Sequence, residues 1–145
     1  MIAFADSSAL VKLYADELGH ELVRSHATLV VSQLCRVEVP AAVWRKQRTG
    51  EITSAEASDL VAEFEADYFG TAAEPARFVA VPVTADVLDT AARATGTYGL
   101  RAYDAIQLGS AMLAREAAPE IAAVLAWDGE LRDAAARERF TVQPD

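Results

Sequence analysis

Cysteine is nearly absent from this 145-residue chain: Cys35 is the only one, so no internal disulfide can form. A lone thiol fits a reducing compartment and a cytoplasmic location, and Cys35 reads as a small core residue. Histidine is almost as scarce. His20 and His26 are six residues apart, off any common helix face, which argues against a histidine metal pair. No run of 18 apolar residues exists, so no membrane span is expected. Met1 to Asp6 lacks a basic start, and Asp6 interrupts its apolar run early, so this segment reads as a strand rather than a signal peptide. Internal repeats, low-complexity tracts and Pro/Gly/Ser-rich linkers are also missing, which leaves one domain over 1–145. Positive charge is in short supply: 13 Lys and Arg stand against 22 Asp and Glu, for a net charge of -9. Taken alone, that balance counts against a nucleic-acid binder.

Apolar residues make up 52% of the chain, enough for an ordered core without staples. The cations are unevenly spread. Arg36, Arg45, Lys46 and Arg48 lie within thirteen residues, with only Glu38 opposing them. They read either as a solvated helix face or as local relief of the acidic balance. An acidic chain also suits a basic partner peptide.

Hydrophobic patterning predicts strands at Met1–Ala5, Leu29–Val31, Phe78–Val83 and Ala122–Trp127, with a short last one at Thr141–Val142. Pro82 places the third near a sheet edge, because it cannot donate a ladder hydrogen bond. Helices are expected after Ser7 or Ser8, from Gly19 to about His26, and from Cys35 to about Arg48. Pro40 is best tolerated in a first turn, so the last of these should start close to Glu38. Thr53-Ser54-Ala55-Glu56 is a capping box opening a helix to about Phe69. Gly70–Pro75 reads as a loop. Thr84 opens another helix, Ala102–Ala117 a long one, and Asp128-Gly129 a last one through Arg137. Trp44 and Trp127 read as core. Strands alternating with helices argue for a parallel sheet covered on both faces.

Four acids sit where acids are expensive. Asp6 closes the first strand and Asp128 the fourth; Glu38 lies between Val37 and Val39, and Asp104 shares a helix face with Leu108 and Ala111. A buried, isolated carboxylate costs several kcal/mol or takes up a proton, so each needs a partner. Singly, each has an ordinary explanation. Asp6 can cap a helix, Asp128 can cap or turn, Glu38 can pair with Arg36 or Lys46, and Asp104 can pair with Arg101 or cap. Jointly, they fall at the carboxyl ends of strands or at helix N-terminal turns, the rim where open parallel sheets bind ligands. A hard divalent cation such as Mg²⁺ removes the repulsion among clustered carboxylates, and it can orient a water for in-line attack on a phosphate.

The stretch Phe4-Ala5-Asp6-Ser7-Ser8-Ala9-Leu10-Val11-Lys12-Leu13-Tyr14 resembles the first motif of the PIN-domain family, within it the VapC-type toxins of bacterial toxin–antitoxin pairs. Ser32 to Ala42 is similar to the second motif, with Glu38 as its glutamate. Leu100 to Leu108 is similar to the third, in which Asp104 opens a helix after Arg101-Ala102, and Val124 to Leu131 resembles the fourth around Asp128. Together the motifs span nearly the whole chain. The resemblance implies a three-layer α/β/α, PIN-like and Rossmann-like domain with a central, mostly parallel sheet. It implies an Mg²⁺- or Mn²⁺-dependent endoribonuclease toxin, with Asp6, Glu38, Asp104 and Asp128 as catalytic and metal-binding residues. It also implies a homodimer, neutralised by a cognate antitoxin. Ser8 and Arg101 are candidate supports, for Asp6 or the metal shell and for phosphate or Asp104. The family usually has Ser or Thr two residues before its last aspartate, where this chain has Ala126. That departure favours an alternative, a PIN-fold module that binds RNA or a partner protein without cutting. A phosphoaspartate fold built on Asp6 fits less well. A haloacid-dehalogenase-like site would want Asp where Ser8 stands, and a receiver would want paired acids and a late Lys.

Overall fold

Why the chain makes three layers follows from the alternation along its strands. The computed structural model describes residues 1–145. Its strands are β1 (Ile2–Ala5), β2 (Leu29–Ser32), β3 (Phe78–Val81), β4 (Ile121–Leu125) and β5 (Thr141–Gln143). Its helices are α1 (Ser7–Val11), α2 (His20–Arg24), α3 (Cys35–Arg48), α4 (Ser54–Phe69), α5 (Ala85–Tyr98), α6 (Ala102–Ala117) and α7 (Gly129–Arg137). The five strands form one sheet in the order β3-β2-β1-β4-β5, every neighbouring pair parallel. Phe4, Val30 and Val124 face a core built with Ala91, Leu108 and Leu131 from α5, α6 and α7. Their sequence neighbours Ala3, Ala5, Leu29, Val31, Ala123 and Leu125 face the opposite core, built with Leu10, Val23, Val39 and Phe64 from α1 to α4. Successive strand residues point to opposite faces, so a strand apolar on every residue must be covered twice.

Handedness decides which helices cover which face. Parallel crossovers are right-handed, so a chain moving one way across the sheet must cross on one face and return on the other. From β1 to β2 to β3 the connections are α1–α2 and α3–α4; from β3 back past β1 to β4, and on to β5, they are α5–α6 and α7. The reversal leaves β1 and β4 adjacent with exits to opposite faces, and the crevice at their carboxyl ends opens there.

Most sequence expectations hold to within a residue or two. Thr53 completes the capping box, its hydroxyl accepting from Glu56 N while the Glu56 carboxylate accepts from Thr53 N, both at 3.1 Å. β3 is an edge strand, as Pro82 implied. The sheet is parallel throughout, as the alternation of strands and helices implied. Two details differ. Helix α3 begins at Cys35, not near Glu38, which puts Pro40 in its second turn. The early start is held by Ser32, whose hydroxyl accepts from Leu34 N at 3.1 Å, and by Glu38 N donating to Leu34 O at 3.1 Å. What Pro40 removes is only the donor for the carbonyl of Arg36, a half-exposed residue. Finally, Trp44 and Trp127 are half-buried rather than core. Trp127 lies against Gly19, and Lys12 Nζ stands 4.6 Å from the centre of its ring.

Helices α5 and α6 approach closely at Gly109. A Cβ there would stand 3.1 Å from Val87 O and 3.2 Å from Ala91 N, both backbone atoms of α5. Glycine in a helix interior normally weakens it; here it permits the packing. Gly109→Val should therefore destabilise the protein by about 1–3 kcal/mol by overpacking. Denaturant titration followed by circular dichroism checks this; an unchanged midpoint would show that the helices separate freely.

Candidate functional site

The rim of the sheet gathers the acids from four separate elements. Asp6 directly follows β1 and is the N-cap of α1, and its backbone N–H donates to Leu125 O at the end of β4 at 3.1 Å. That bond ties the two strand ends together. Asp128 lies three residues past β4 and caps α7. Glu38 is in the first turns of α3, and Asp104 is the third residue of α6.

Asp6 is the most buried of the four, 4% exposed. Its Oδ1 accepts from Ala9 N at 2.8 Å, and the Ser8 hydroxyl stands 2.9 Å from both carboxylate oxygens. One hydroxyl carries one proton, so Oδ2 has at most that shared donor. Burial pushes the Asp6 carboxyl up to about 6 against these bonds, which lower it, and Asp104 and Glu38 add repulsion. Asp104 is half-buried, and neither of its oxygens accepts a hydrogen bond. Burial and then the neighbouring Asp128 raise its carboxyl, Arg101 counters, and Glu38 and Glu130 add to the rise. No ion pair links Arg101 to Asp104; the guanidinium is exposed beside it. In Asp128, Oδ2 accepts from Leu131 N at 3.0 Å, and Oδ1 is open.

Glu38 pairs with neither Arg36 nor Lys46. Its Oε1 accepts from the Ser7 hydroxyl at 2.8 Å and from Gln107 Nε2 at 2.8 Å, and Gln107 Nε2 also reaches Ser7 Oγ at 3.0 Å. Arg36 instead lies over Phe69, 4.6 Å from the ring centre, with Glu65 at 3.9 Å. The triangle of Ser7, Glu38 and Gln107 joins α1, α3 and α6 and holds Glu38 by neutral donors, leaving Oε2 open. Ser7 and Gln107 are buried polar residues that reading for acids alone passed over. The available signal was Gln107 one turn beyond Asp104, a polar group on an apolar helix stripe. The other amide atom, Gln107 Oε1, is buried without a partner.

The four acids thus share one rim, and burial together with their neighbours' charge raises the proton affinity of Asp6 and Asp104, but no three side chains already form a metal-binding group. Each offers at least one oxygen without a donor of its own. That set suits a hard cation that keeps part of its water shell. Ala126 is fully buried among Val124, Leu131 and Ala134, so no hydroxyl supports Asp128 from that place. Cys35 is buried, and burial pushes its thiol up to about 12, so it is inert.

Because the folded carboxyl of Asp6 binds its proton more tightly than an unfolded one, its ionisation weakens the fold as pH rises from about 4 to 6. Asn keeps the cap and cannot ionise. In chelator, Asp6→Asn should match the wild type near pH 4 and exceed it at pH 7 by up to roughly 3 kcal/mol. Thermal melts across that range check this; an advantage independent of pH would mean Asp6 is not strained by burial.

A comparison with protein-family models finds no match for the chain, and a search of curated proteins finds no significant relative.

Proposed function

We propose that this chain is a metal-dependent endoribonuclease of the PIN-domain toxin type. One observation carries the reading: carboxylates from four elements lie near enough to feel one another, Asp6 the charges of Asp104 and Glu38, and Asp104 those of Asp128 and Glu38, and the most buried of them is only 4% exposed. Natural folds rarely keep uncompensated charge so deep without a ligand. The all-parallel sheet, with the rim at its strand reversal, is the architecture the motif resemblance implies.

Asp6 and Asp104 would hold Mg²⁺ or Mn²⁺, with Glu38 and Asp128 reaching it directly or through water. Bound there, the ion supplies charge for the phosphate and lowers the pKa of a water. Glu38, held at Oε1, would keep Oε2 to orient an attacking water and take its proton as the water oxygen bonds to phosphorus; the P–O bond to one ribose breaks, and the departing ribose oxygen takes up a proton from solvent. Asp128, anchored through a single oxygen, completes the rim. Arg101 beside Asp104 is suited to the scissile phosphate.

We further infer a homodimer in the cytoplasm and a cognate antitoxin whose basic side chains enter the acidic crevice, where an arginine can meet the carboxylates bidentately. No helix is long and apolar enough to cross a membrane. Buried Ala126 favours the second reading, an RNA- or partner-binding module that does not cut.

Mg²⁺ or Mn²⁺ should raise the melting temperature, since a ligand held only by the folded state stabilises it. Asp6→Asn combined with Asp104→Asn should remove that increment. Asp6→Ala, Glu38→Ala or Asp104→Ala should each abolish nearly all cleavage of total RNA in Mg²⁺ or Mn²⁺, with EDTA as control. Asp128→Ala should cost less. Ala126→Ser, the smallest way to add a hydroxyl in a filled site, should raise cleavage. Robust cutting by Asp104→Ala would sink the metal-catalysis reading, and a wild type that binds RNA without cutting it would leave the binding module ahead. Sequencing RNA 5′ ends after brief induction would then identify the cut.

A further inference from the structure

A net charge of -9 poses a problem for any protein that must hold a polyanion against an acidic crevice. The structure offers a local answer on α3. From Glu38 one face of this helix continues through Ala42 to Arg45, Lys46 and Thr49, spaced about a turn apart. These last four residues line one wall of a groove of about 240 Å³, and α1 forms the other with Ser8 and Val11. Ser8 belongs to both places: its hydroxyl contacts the Asp6 carboxylate, and its side chain lines the groove. The groove is therefore a direct extension of the acidic rim, narrow and open to solvent.

Its charges are not equivalent. Lys46 is committed to two acids, Glu17 and Glu51, the latter at 3.4 Å. Glu17 is shared with buried Lys12 at 3.2 Å. These ions answer one another and fix the wall. Arg45 is exposed and makes no ion pair or side-chain hydrogen bond. Beyond Glu38 helix α3 carries no acid of its own, and the two acids of the groove, Glu17 and Glu51, are held by Lys46, which leaves Arg45 unpaired. Small Ala42 between Glu38 and Arg45 leaves the path between them clear.

We propose that this groove is an RNA-backbone subsite, in which Arg45 binds a phosphate flanking the scissile one and Thr49 borders the same strand. The proposal rests on the ribonuclease reading for the strand's position, with one end of the groove at Ser8 and the acids. Its recognition is of phosphate, independent of base, because the walls present the unpaired Arg45 guanidinium and two hydroxyls beside the mutually paired Lys46, Glu17 and Glu51, and no aromatic face.

The test is binding of a short fluorescein-labelled single-stranded RNA, measured by anisotropy in EDTA to prevent cutting. Exposed Arg45 can change without disturbing the core. Arg45→Glu should weaken binding about tenfold and lower the salt slope by about one, the loss of one phosphate contact. Arg45→Lys should retain most of the affinity, and Thr49→Lys should tighten it. Arg137→Glu, the same charge change at the far end of α7, should have little effect. Unchanged RNA affinity in Arg45→Glu, or an equal loss in Arg137→Glu, overturns the subsite. Cleavage assays on the same proteins separate this from the reading it rests on. If Arg45→Glu binds normally while Asp104→Asn abolishes cutting, only the groove is wrong. If the wild type cuts nothing but binding falls with Arg45→Glu, the groove stands as an RNA surface and catalysis is wrong. A wild type that neither binds nor cuts RNA overturns both.

Discussion

A carboxylate buried at the end of the central strand is the constraint around which the rest is arranged. Asp6 cannot leave its place, because its backbone ties β1 to β4 and its side chain caps α1. It cannot rest easily there either, because burial and two neighbouring acids favour its protonated form. Capping requires the oxygen that accepts from Ala9, while the other oxygen is left toward the rim. A side chain doing structural work with one atom and exposing an unmatched charge with another couples stability to whatever occupies the crevice.

The neighbouring elements meet that demand in two different ways. Around Glu38 the donors are neutral. Ser7 and Gln107 fix one oxygen without adding a cation that would compete with a metal or hold the crevice shut. Away from the rim the charges are paired: Lys12, Glu17, Lys46 and Glu51 bridge α1, the following loop and the end of α3. Pairs open to solvent on one side, as Lys46 with Glu51, add little stability singly. Their spatial effect is larger, since they hold cations near the crevice while leaving Arg45 free. A protein of net charge -9 thereby presents a mixed surface where a phosphate chain would have to lie.

The topology explains why such a site arises at this rim. Reversal of the winding direction between β1 and β4 sends α1 to one face and α7 to the other, so nothing covers the gap between their N-termini. Helices α3 and α6 then bring Glu38 and Asp104 from opposite layers. The small residues of β1 and β4, Ala3, Ala5 and Ala123, let the α1–α4 layer sit close to the sheet at its centre.

Much of this was legible in residue order alone. Short continuous apolar runs and capping residues located the strands and most helices, and the placement of Asp6 and Asp128 at strand ends follows from chain position. The acids could be named because a carboxylate amid valines or on an apolar stripe is a local anomaly. Local rules also erred locally: Pro40 suggested a later start for α3, because the Ser32 and Leu34 bonds that hold its first turn depend on how β2 ends. Glu38 looked ready to pair with Arg36 or Lys46, its helix neighbours. Only the folded chain shows Arg36 drawn to Phe69, Lys46 to Glu17, and Glu38 to Ser7 and Gln107, partners 31 and 69 residues away. Residue order determined which groups are costly to bury, since that is a property of each side chain and its neighbours. Which partner relieves each of them was decided by tertiary structure, because hydrogen bonds act over a few ångströms and only packing brings distant residues that close.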